Sequence, residues 1–277
     1  MPTSAEVTHA ERQQLGAVLY EYSVGTHLWV ACAVTSLALF AGHVLAFEPS
    51  LAALGVVFFS TLLIYNLDTA LDLRQSDDGL RHLRAVRLTW LGLGGVLGLL
   101  ATTHWSTAAL VLAGAGVSCL YAVPLGSRGF RMKALPGAKS LVVGSAVAIA
   151  VVCVPLVEQG APWTSLTWST LALLLTLTSV NATLFDVRDL EQDGARGLRT
   201  LPVVLGLKTT RALLGVGAAG ALTTIAALEP RLSRPAFFVL ATLLPLILLL
   251  GPRSPRSAYA WLVDGALFLP CFVTLGQ

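Results

Sequence analysis

Residues 165–193 read SLTWSTLALLLTLTSVNATLFDVRDLEQD, an apolar run that ends in a cluster of carboxylates. Its apolar part, about 165–186, is close to the roughly 20 residues that an α-helix needs to cross a bilayer. Acidic side chains then follow one another closely from Asp186 to Asp193. Carboxylates at the edge of a membrane are costly and repel one another, so this pattern indicates a site that holds a cation.

A second acidic cluster ends another apolar run far upstream, in YNLDTALD at residues 65–72, and Asp77 and Asp78 follow it. Each cluster alone is compatible with a solvated helix end. Two clusters on one side of the membrane are better explained as the two walls of one divalent-metal site. We therefore predict that they face each other.

The composition of the chain is that of an integral membrane protein. Only 12% of its 277 residues are charged, whereas soluble domains carry roughly 25%. Its mean hydropathy is +0.76, and 55% of the residues are hydrophobic. The net charge of +3 is too small to indicate nucleic-acid binding, and we expect no nucleic-acid partner.

Apolar runs of membrane-spanning length recur along the whole chain, which predicts a single all-α domain, residues 1–277, with about nine transmembrane helices. They lie at about 26–47, 50–70, 86–103, 106–124, 138–157, 165–186, 202–228, 235–251 and 258–275. The seventh run is too long, so its first part, 201–207, is expected to belong to the preceding loop. Residues 1–23 are polar and form a cytoplasmic lead-in. The four cysteines are expected to be buried structural thiols: Cys32, Cys119, Cys153 and Cys271.

The basic residues predict the orientation. All of the 18 Lys and Arg residues except Arg231 and Arg234 precede the first run or follow an even-numbered one. The positive-inside rule places those segments and the N-terminus in the cytoplasm. Both acidic clusters fall on that same side.

Helical spacing predicts that each cluster presents its carboxylates on one face. Asp68 and Asp72 are four residues apart, and Asp186, Asp189 and Asp193 stand at i, i+3 and i+7. Mg²⁺ prefers oxygen ligands and is commonly shared between one or two carboxylates and substrate phosphates. Two facing clusters could therefore clamp a diphosphate through bridging Mg²⁺.

Basic and polar side chains nearby are candidates to bind the substrate. Lys133, Arg188 and Arg199 could neutralise a leaving diphosphate, although each could also be a topogenic charge. Asn181 could face a pocket or bond another helix. Asp264 lies within the last run, where a carboxylate is expensive, and could meet the site or a partner such as His43. The roles of Asp264 and Asp77 stay open from sequence.

These motifs resemble those of the UbiA superfamily of intramembrane prenyltransferases. The second signature of that superfamily is matched by Asp189-x-x-x-Asp193 and the following Thr200-Leu201-Pro202-Val203. Residues 120–125 (LYAVPL) and 133–139 (KALPGAK) resemble the loop after its fourth helix. The resemblance spans most of the chain and implies helices around a central cavity that opens to the cytoplasm.

The first motif departs from the pattern N-x-x-x-D-x-x-x-D of the superfamily. With Asp72 in the central position, Asp68 stands where Asn is expected and Ser76 where the last Asp belongs. Asn66 lies two residues from the Asn position, and Asp77 is one residue late. This departure is typical of a divergent branch.

The resemblance implies that the protein ionises an isoprenoid diphosphate and transfers the prenyl group to an aromatic, quinone-precursor or other lipophilic acceptor inside the bilayer. Mg²⁺ is the implied cofactor, and the cell inner membrane is the implied location. Aromatic faces can stabilise a passing carbocation. The candidate residues are Asp68, Asp72, Asp189 and Asp193 for catalysis; the same four and Asp186 for metal; and Tyr65, Asn66, Tyr121, Lys133, Asn181, Arg188 and Arg199 for substrate.

Two alternatives remain at this stage. A terpene cyclase of the same superfamily would release diphosphate without an acceptor, which the altered first motif allows. A cation-coupled transporter is the more remote alternative, since transporters place their coupling sites near the membrane midplane rather than at helix ends. Chain length of the prenyl group, the acceptor and the oligomeric state do not follow from the sequence.

Overall fold

The structure is a computed structural model that describes residues 21–74, 78–122 and 137–275. Within these ranges every regular element is a helix, which confirms the all-α prediction. The long helices are α1 (Leu28–Val44), α2 (Leu51–Leu73), α3 (Gly79–Leu100), α4 (Trp105–Ala122), α5 (Ala138–Glu158), α6 (Ser165–Arg188), α9 (Leu207–Leu228) and α10 (Ser233–Leu249). Two short helices, α7 (Leu190–Ala195) and α8 (Leu201–Leu205), separate α6 from α9.

The last span, α11, covers Arg256–Thr274 and changes its helical type along its length. An α-helical turn at Arg256–Ala258 leads into a π-helical turn at Tyr259–Val263. A 3₁₀ turn at Gly265–Phe268 follows, and the α-helix resumes at Leu269–Leu275. Asp264 therefore lies at the junction between the π and 3₁₀ turns.

In the described part of the chain, seven helices are long and apolar enough to cross a membrane, and two further apolar helices, Leu28–Val44 and Trp105–Val117, are shorter. Together they occupy the nine runs predicted from the sequence. The protein is therefore an integral membrane protein. The expected break in the seventh run is present, because Gly206, with φ of 76°, separates α8 from α9.

Local sequence explains several helix starts. Ser50 accepts a hydrogen bond from the backbone N–H of Ala53 at the start of α2, and Thr164 forms a capping box with Thr167 at the start of α6. Asp78 accepts from the backbone N–H of Arg81 at the start of α3. These side chains satisfy N–H groups that the first helical turn leaves without a partner.

Helix α1 is the most enclosed of the helices, with Leu37, Phe40 and Ala41 fully buried. It packs against α2, α5 and α11, while consecutive helices pair as α2 with α3, α5 with α6, and α9 with α10. Helix α11 also packs on α10, so the last span joins the end of the bundle to its beginning.

The cysteine prediction is wrong at one position. Cys153 and Cys271 are buried, but Cys32 is exposed, on a narrow stripe of α1 that includes Leu39. A residue in a membrane helix need not be buried in protein to leave water, because lipid tails are as apolar as the protein interior. The side chain of Cys119 lies outside the described residues.

Candidate active site

The second acidic motif is built on a break between two helices. Helix α6 ends at Arg188, Asp189 is its C-cap, and α7 begins at Leu190. The backbone N–H of Asp193 donates to the carbonyl of Asp189 at 2.7 Å, and Gly197, with φ of 70°, allows the chain to reverse. This left-handed conformation is accessible to glycine at little cost.

Arg188 and Asp189 form a bidentate ion pair at this break. Nε of Arg188 donates to Oδ1 of Asp189 at 2.8 Å, and Nη2 donates to Oδ2 at 2.7 Å. The guanidinium carbon lies 4.8 Å from the ring centre of Phe185 and 6.0 Å from that of Tyr259. Both partners are partly shielded, with side-chain exposures of 29% and 20%. Bidentate pairing and stacking on an aromatic ring give this guanidinium a defined orientation in the structure.

The three carboxylates of the second motif do not lie on one unbroken helix, because α6 ends at Arg188 and α7 begins at Leu190. Asp186 is fully buried and accepts a hydrogen bond from Oγ of Ser140 on α5 at 2.5 Å. Asp189 pairs with Arg188, and Asp193 lies buried in α7. The spacing of i, i+3 and i+7 assumed a continuous helix, and the convergence of these residues on one metal ion stays a prediction.

The first acidic motif occupies the last turns of α2. Asp68 and Asp72 are both exposed. Asn66 instead is buried, and its amide donates to the carbonyl of Thr26 at 3.1 Å and to that of Leu62 at 2.9 Å. Both amide hydrogens of Asn66 therefore serve the fold, where sequence had suggested a contact with substrate.

His27 supports the first motif from the segment before α1. Its ring lies 5.6 Å from that of Tyr65, and Nε2 hydrogen-bonds Oγ1 of Thr69 at 2.9 Å. Burial lowers the pKa of His27 to about 4, because the charged form loses its hydration. At neutral pH His27 is thus uncharged, and it joins the start of α1 to α2 through its contacts with Tyr65 and Thr69.

Asp264 lies on the last span, near the second motif. It follows Val263, whose carbonyl accepts a hydrogen bond from the amide of Asn181 on α6 at 2.8 Å. The backbone N–H of Asp264 donates to the carbonyl of Tyr259, and the ring centre of Tyr259 lies 6.0 Å from the guanidinium carbon of Arg188. These contacts hold the turn that carries Asp264 against the end of α6.

The other sequence-predicted site residues are exposed or lie outside the described residues. Asp72 and Arg199 are exposed. Tyr121 is in the last turn of α4, and its side chain is not described; Lys133 and Asp77 lie outside the described residues. Sequence reasoning missed Ser140, Phe185 and Tyr259. Their contacts with Asp186 and Arg188 became visible only in the folded structure.

The oxygen-rich donor set fits Mg²⁺ in chemical type. Among the residues that the structure describes, no three His, Cys, Asp or Glu side chains converge into a ready-made metal cage. Mg²⁺ does not require one, since it keeps several waters and takes one or two carboxylates together with substrate phosphates. Asp189 at the helix break and the exposed Asp68 and Asp72 at the end of α2 are carboxylates of this kind, and their sharing of one ion stays a prediction.

Comparison with known proteins agrees with the resemblance seen in the sequence. Residues 79–263 match the UbiA prenyltransferase family. A UbiA homologue from Archaeoglobus fulgidus has a similar structure, with a TM-score of 0.60 at 14% identity over 91% of this chain and 100% of that one.

The same homologue has also been solved with DMAPP and Mg²⁺, with a TM-score of 0.54 at 15% identity over 91% of this chain and 99% of that one. Its structure with GPP and Mg²⁺ gives the same TM-score and identity, over 91% of this chain and 100% of that one. No functionally curated protein is matched. The family match covers well over half of the residues, and the chain belongs to the UbiA prenyltransferase family.

Proposed function

We propose that the protein is a Mg²⁺-dependent intramembrane prenyltransferase. It would take an isoprenoid diphosphate and transfer the prenyl group to an aromatic, quinone-precursor or other lipophilic acceptor. The observation that carries the proposal is the family match over residues 79–263, which contain the second acidic motif with Asp189 and Asp193 at the helix break. The A. fulgidus homologue, solved with DMAPP, GPP and Mg²⁺, supports the same substrate class and metal.

The diphosphate head would lie between the ends of α2 and α6, with Asp68, Asp72, Asp189 and Asp193 as the residues that hold Mg²⁺. Bound Mg²⁺ would neutralise negative charge on the leaving diphosphate. Arg199 and Lys133 are candidates from the loops to bind diphosphate oxygens, and Arg188, held by Asp189 in this structure, is the candidate at the helix break. Asp186, bonded to Ser140, is better suited to fix α6 against α5 than to bind metal directly.

In the reaction, the allylic C–O bond breaks and its electron pair leaves with the diphosphate. The resulting carbocation is attacked by the acceptor, which then loses a proton. The aromatic face of Tyr65 lies beside Asp68 and could stabilise the cation as it forms. Surrounding helices exclude water, which protects the cation from hydrolysis.

We place the N-terminus and the acidic helix ends on the cytoplasmic side of the cell inner membrane, because the loops on that side carry nearly all of the basic residues. A central cavity between the helices would hold the prenyl tail. The apolar helix faces and the small number of intramembrane charges support this arrangement.

The test is mass spectrometry of products formed by purified protein with Mg²⁺ and prenyl diphosphates of increasing chain length, each with and without candidate acceptors. Prenylated acceptor is the expected product. A cyclic hydrocarbon formed without acceptor would identify a terpene cyclase instead, which the divergent first motif makes the second candidate. No consumption of any diphosphate under either condition would contradict both.

A further inference from the structure

Asp264 is a carboxylate within a membrane-spanning helix that the proposed reaction does not use. Acidic residues in such positions are expensive and are retained where they pair with another polar group or act in function. Asp264 stands at the end of the π-helical turn Tyr259–Val263, and π turns occur frequently at functional sites. Its position therefore calls for a specific role.

The π turn brings Asp264 towards α6. Residues five apart in a regular α-helix are separated by about 1.4 turns and point in different directions. Here the backbone N–H of Asp264 bonds the carbonyl of Tyr259, five residues earlier, at 3.3 Å. This wider turn aligns Asp264 more nearly with Tyr259, whose ring lies beside Phe185 and Arg188 of α6.

Neighbouring helices hold the turn in place. The indole Nε1 of Trp29 on α1 donates to the carbonyl of Ala260 at 3.0 Å, and the amide of Asn181 on α6 donates to that of Val263 at 2.8 Å. These bonds satisfy carbonyls that a change of helical type leaves without regular partners. The orientation of Asp264 is thus built into the packing of three helices.

Arg188 consequently has one carboxylate bonded to it and a second carried by the neighbouring turn. Asp189 engages its guanidinium through two short hydrogen bonds, one to each oxygen of Asp189. The guanidinium carbon lies 6.0 Å from the ring centre of Tyr259, at the start of the π turn that ends at Asp264. A metal ion that binds Asp189 must compete with Arg188 for the same negative charge, and an arginine displaced without another partner would be a costly buried charge.

We propose that Asp264 is a positioning residue that serves as the alternative partner of Arg188, so that Asp189 can release the guanidinium when metal binds and before diphosphate can take that place. The inference rests on the proposed function, because it takes Asp189 to be a metal ligand. Asp264 itself touches neither metal nor the reacting bond. It acts by keeping Arg188 paired in both arrangements.

A purely structural role would leave metal affinity unchanged. In that case Asp264 would only join α11 to α6 through Asn181 and Arg188, and its loss would lower stability alone. Metal affinity measured without turnover therefore separates the two roles.

The experiment measures binding of Mn²⁺, an oxygen-preferring stand-in for Mg²⁺, to purified protein in detergent by the EPR signal of free Mn²⁺. It is done with Mn²⁺ alone and with added inorganic diphosphate. Asp264→Asn is expected to weaken binding of Mn²⁺ alone about tenfold, the size typical for groups that orient metal ligands. Asp264→Glu, which keeps the charge, should restore most of the affinity.

The variant Arg188→Gln provides an independent check, because the expected change in Mn²⁺ affinity has the opposite sign. With the competing guanidinium removed, binding of Mn²⁺ alone should tighten, and adding Asp264→Asn in that background should have no further effect on it. This loss of effect in the double variant is the mark of a role that acts through Arg188. Glu158→Gln, which removes a carboxylate near the opposite end of the bundle, is the matched control and should leave binding unchanged.

Unchanged affinity in Asp264→Asn, or an equal loss in both backgrounds, would overturn the inference. If Asp264→Asn does not fold, Arg188→Gln alone decides, since weaker binding of Mn²⁺ in that variant contradicts the competition. A different result would contradict the proposed function itself. This result is that wild-type protein does not bind Mn²⁺ either alone or with inorganic diphosphate, or that Asp189→Asn leaves Mn²⁺ binding intact.

Discussion

At the scale of single residues, Asp189 carries the sharpest prediction for activity. Its carboxylate lies at the helix break, partly exposed and held by Arg188. Asp189→Asn keeps the shape of the side chain but removes the charge that Mg²⁺ needs, so kcat/KM should fall by at least about 100-fold. The measurement is prenyl transfer by purified protein, with the elution profile of the detergent-solubilised protein as the check on folding.

Asp193→Asn is expected to abolish turnover in the same way. Glu158→Gln is the control, because Glu158 accepts hydrogen bonds from the backbone N–H of His104 and from Thr107, far from the acidic helix ends. Near-normal activity in both Asp variants would remove the metal assignment.

Asn66 yields a prediction about stability rather than binding. Its amide joins α2 to the carbonyl of Thr26 in the segment before α1. Asn66→Ala leaves that buried carbonyl without its donor and should lower the free energy of unfolding by about 1–3 kcal/mol. Thermal unfolding in detergent measures the effect.

Thr61→Ala is the matched control for Asn66. Thr61 is also buried on α2, but its hydroxyl bonds only the carbonyl of Val57 within the same helix. Thr61→Ala should therefore lower the free energy of unfolding clearly less than Asn66→Ala does. If Asn66→Ala instead left stability intact and raised KM for the diphosphate, a direct contact with substrate would be favoured.

At the scale of helices, Gly92 is a glycine of α3 that lies directly against the backbone of α2. A Cβ atom at Gly92 would lie 2.8 Å from the backbone nitrogen of Leu63, whereas one at Gly94 would meet nothing within 4 Å. Gly92→Ala should lower the free energy of unfolding by about 1–3 kcal/mol, because the backbones must move apart. Gly94→Ala should be neutral or stabilising, since alanine is the better helix former. Equal effects in thermal unfolding would contradict this packing.

The helices also show which parts of the fold could be predicted from the sequence alone. Hydropathy was enough to place the helices, because each apolar run is long relative to its loops. The excess length of the seventh run was enough to indicate a break near its start, where Gly206 separates α8 from α9. The end of α6 at Arg188 was not predictable from spacing, since i, i+3 and i+7 assumes an unbroken helix. The π turn before Asp264 likewise depends on hydrogen bonds from Trp29 and Asn181, which are far away in sequence.

At the scale of the whole molecule, the arrangement joins residues that are distant along the chain. Trp29 of the first helix and Asn181 of the sixth both donate to carbonyls of the last span, in the turn that leads to Asp264. The sequence could indicate the two acidic motifs, but the contact between the last span and the end of α6 needed the fold.

Topology gives the prediction that tests the whole arrangement. Helix α1 has 17 residues, or about 26 Å, slightly less than the roughly 30 Å of a bilayer core, yet its enclosed position indicates that it crosses. If it does, Glu48 lies outside and Arg253 lies in the cytoplasm. In protein whose native cysteines are replaced by serine, a membrane-impermeant maleimide should label Glu48→Cys in intact cells, but Arg253→Cys only after permeabilisation. Both side chains are exposed, so accessibility to the reagent depends on the side of the membrane alone. Labelling of both positions in intact cells would mean that an even number of spans separates them, and the assignment of both acidic helix ends to one cytoplasmic site would then be wrong.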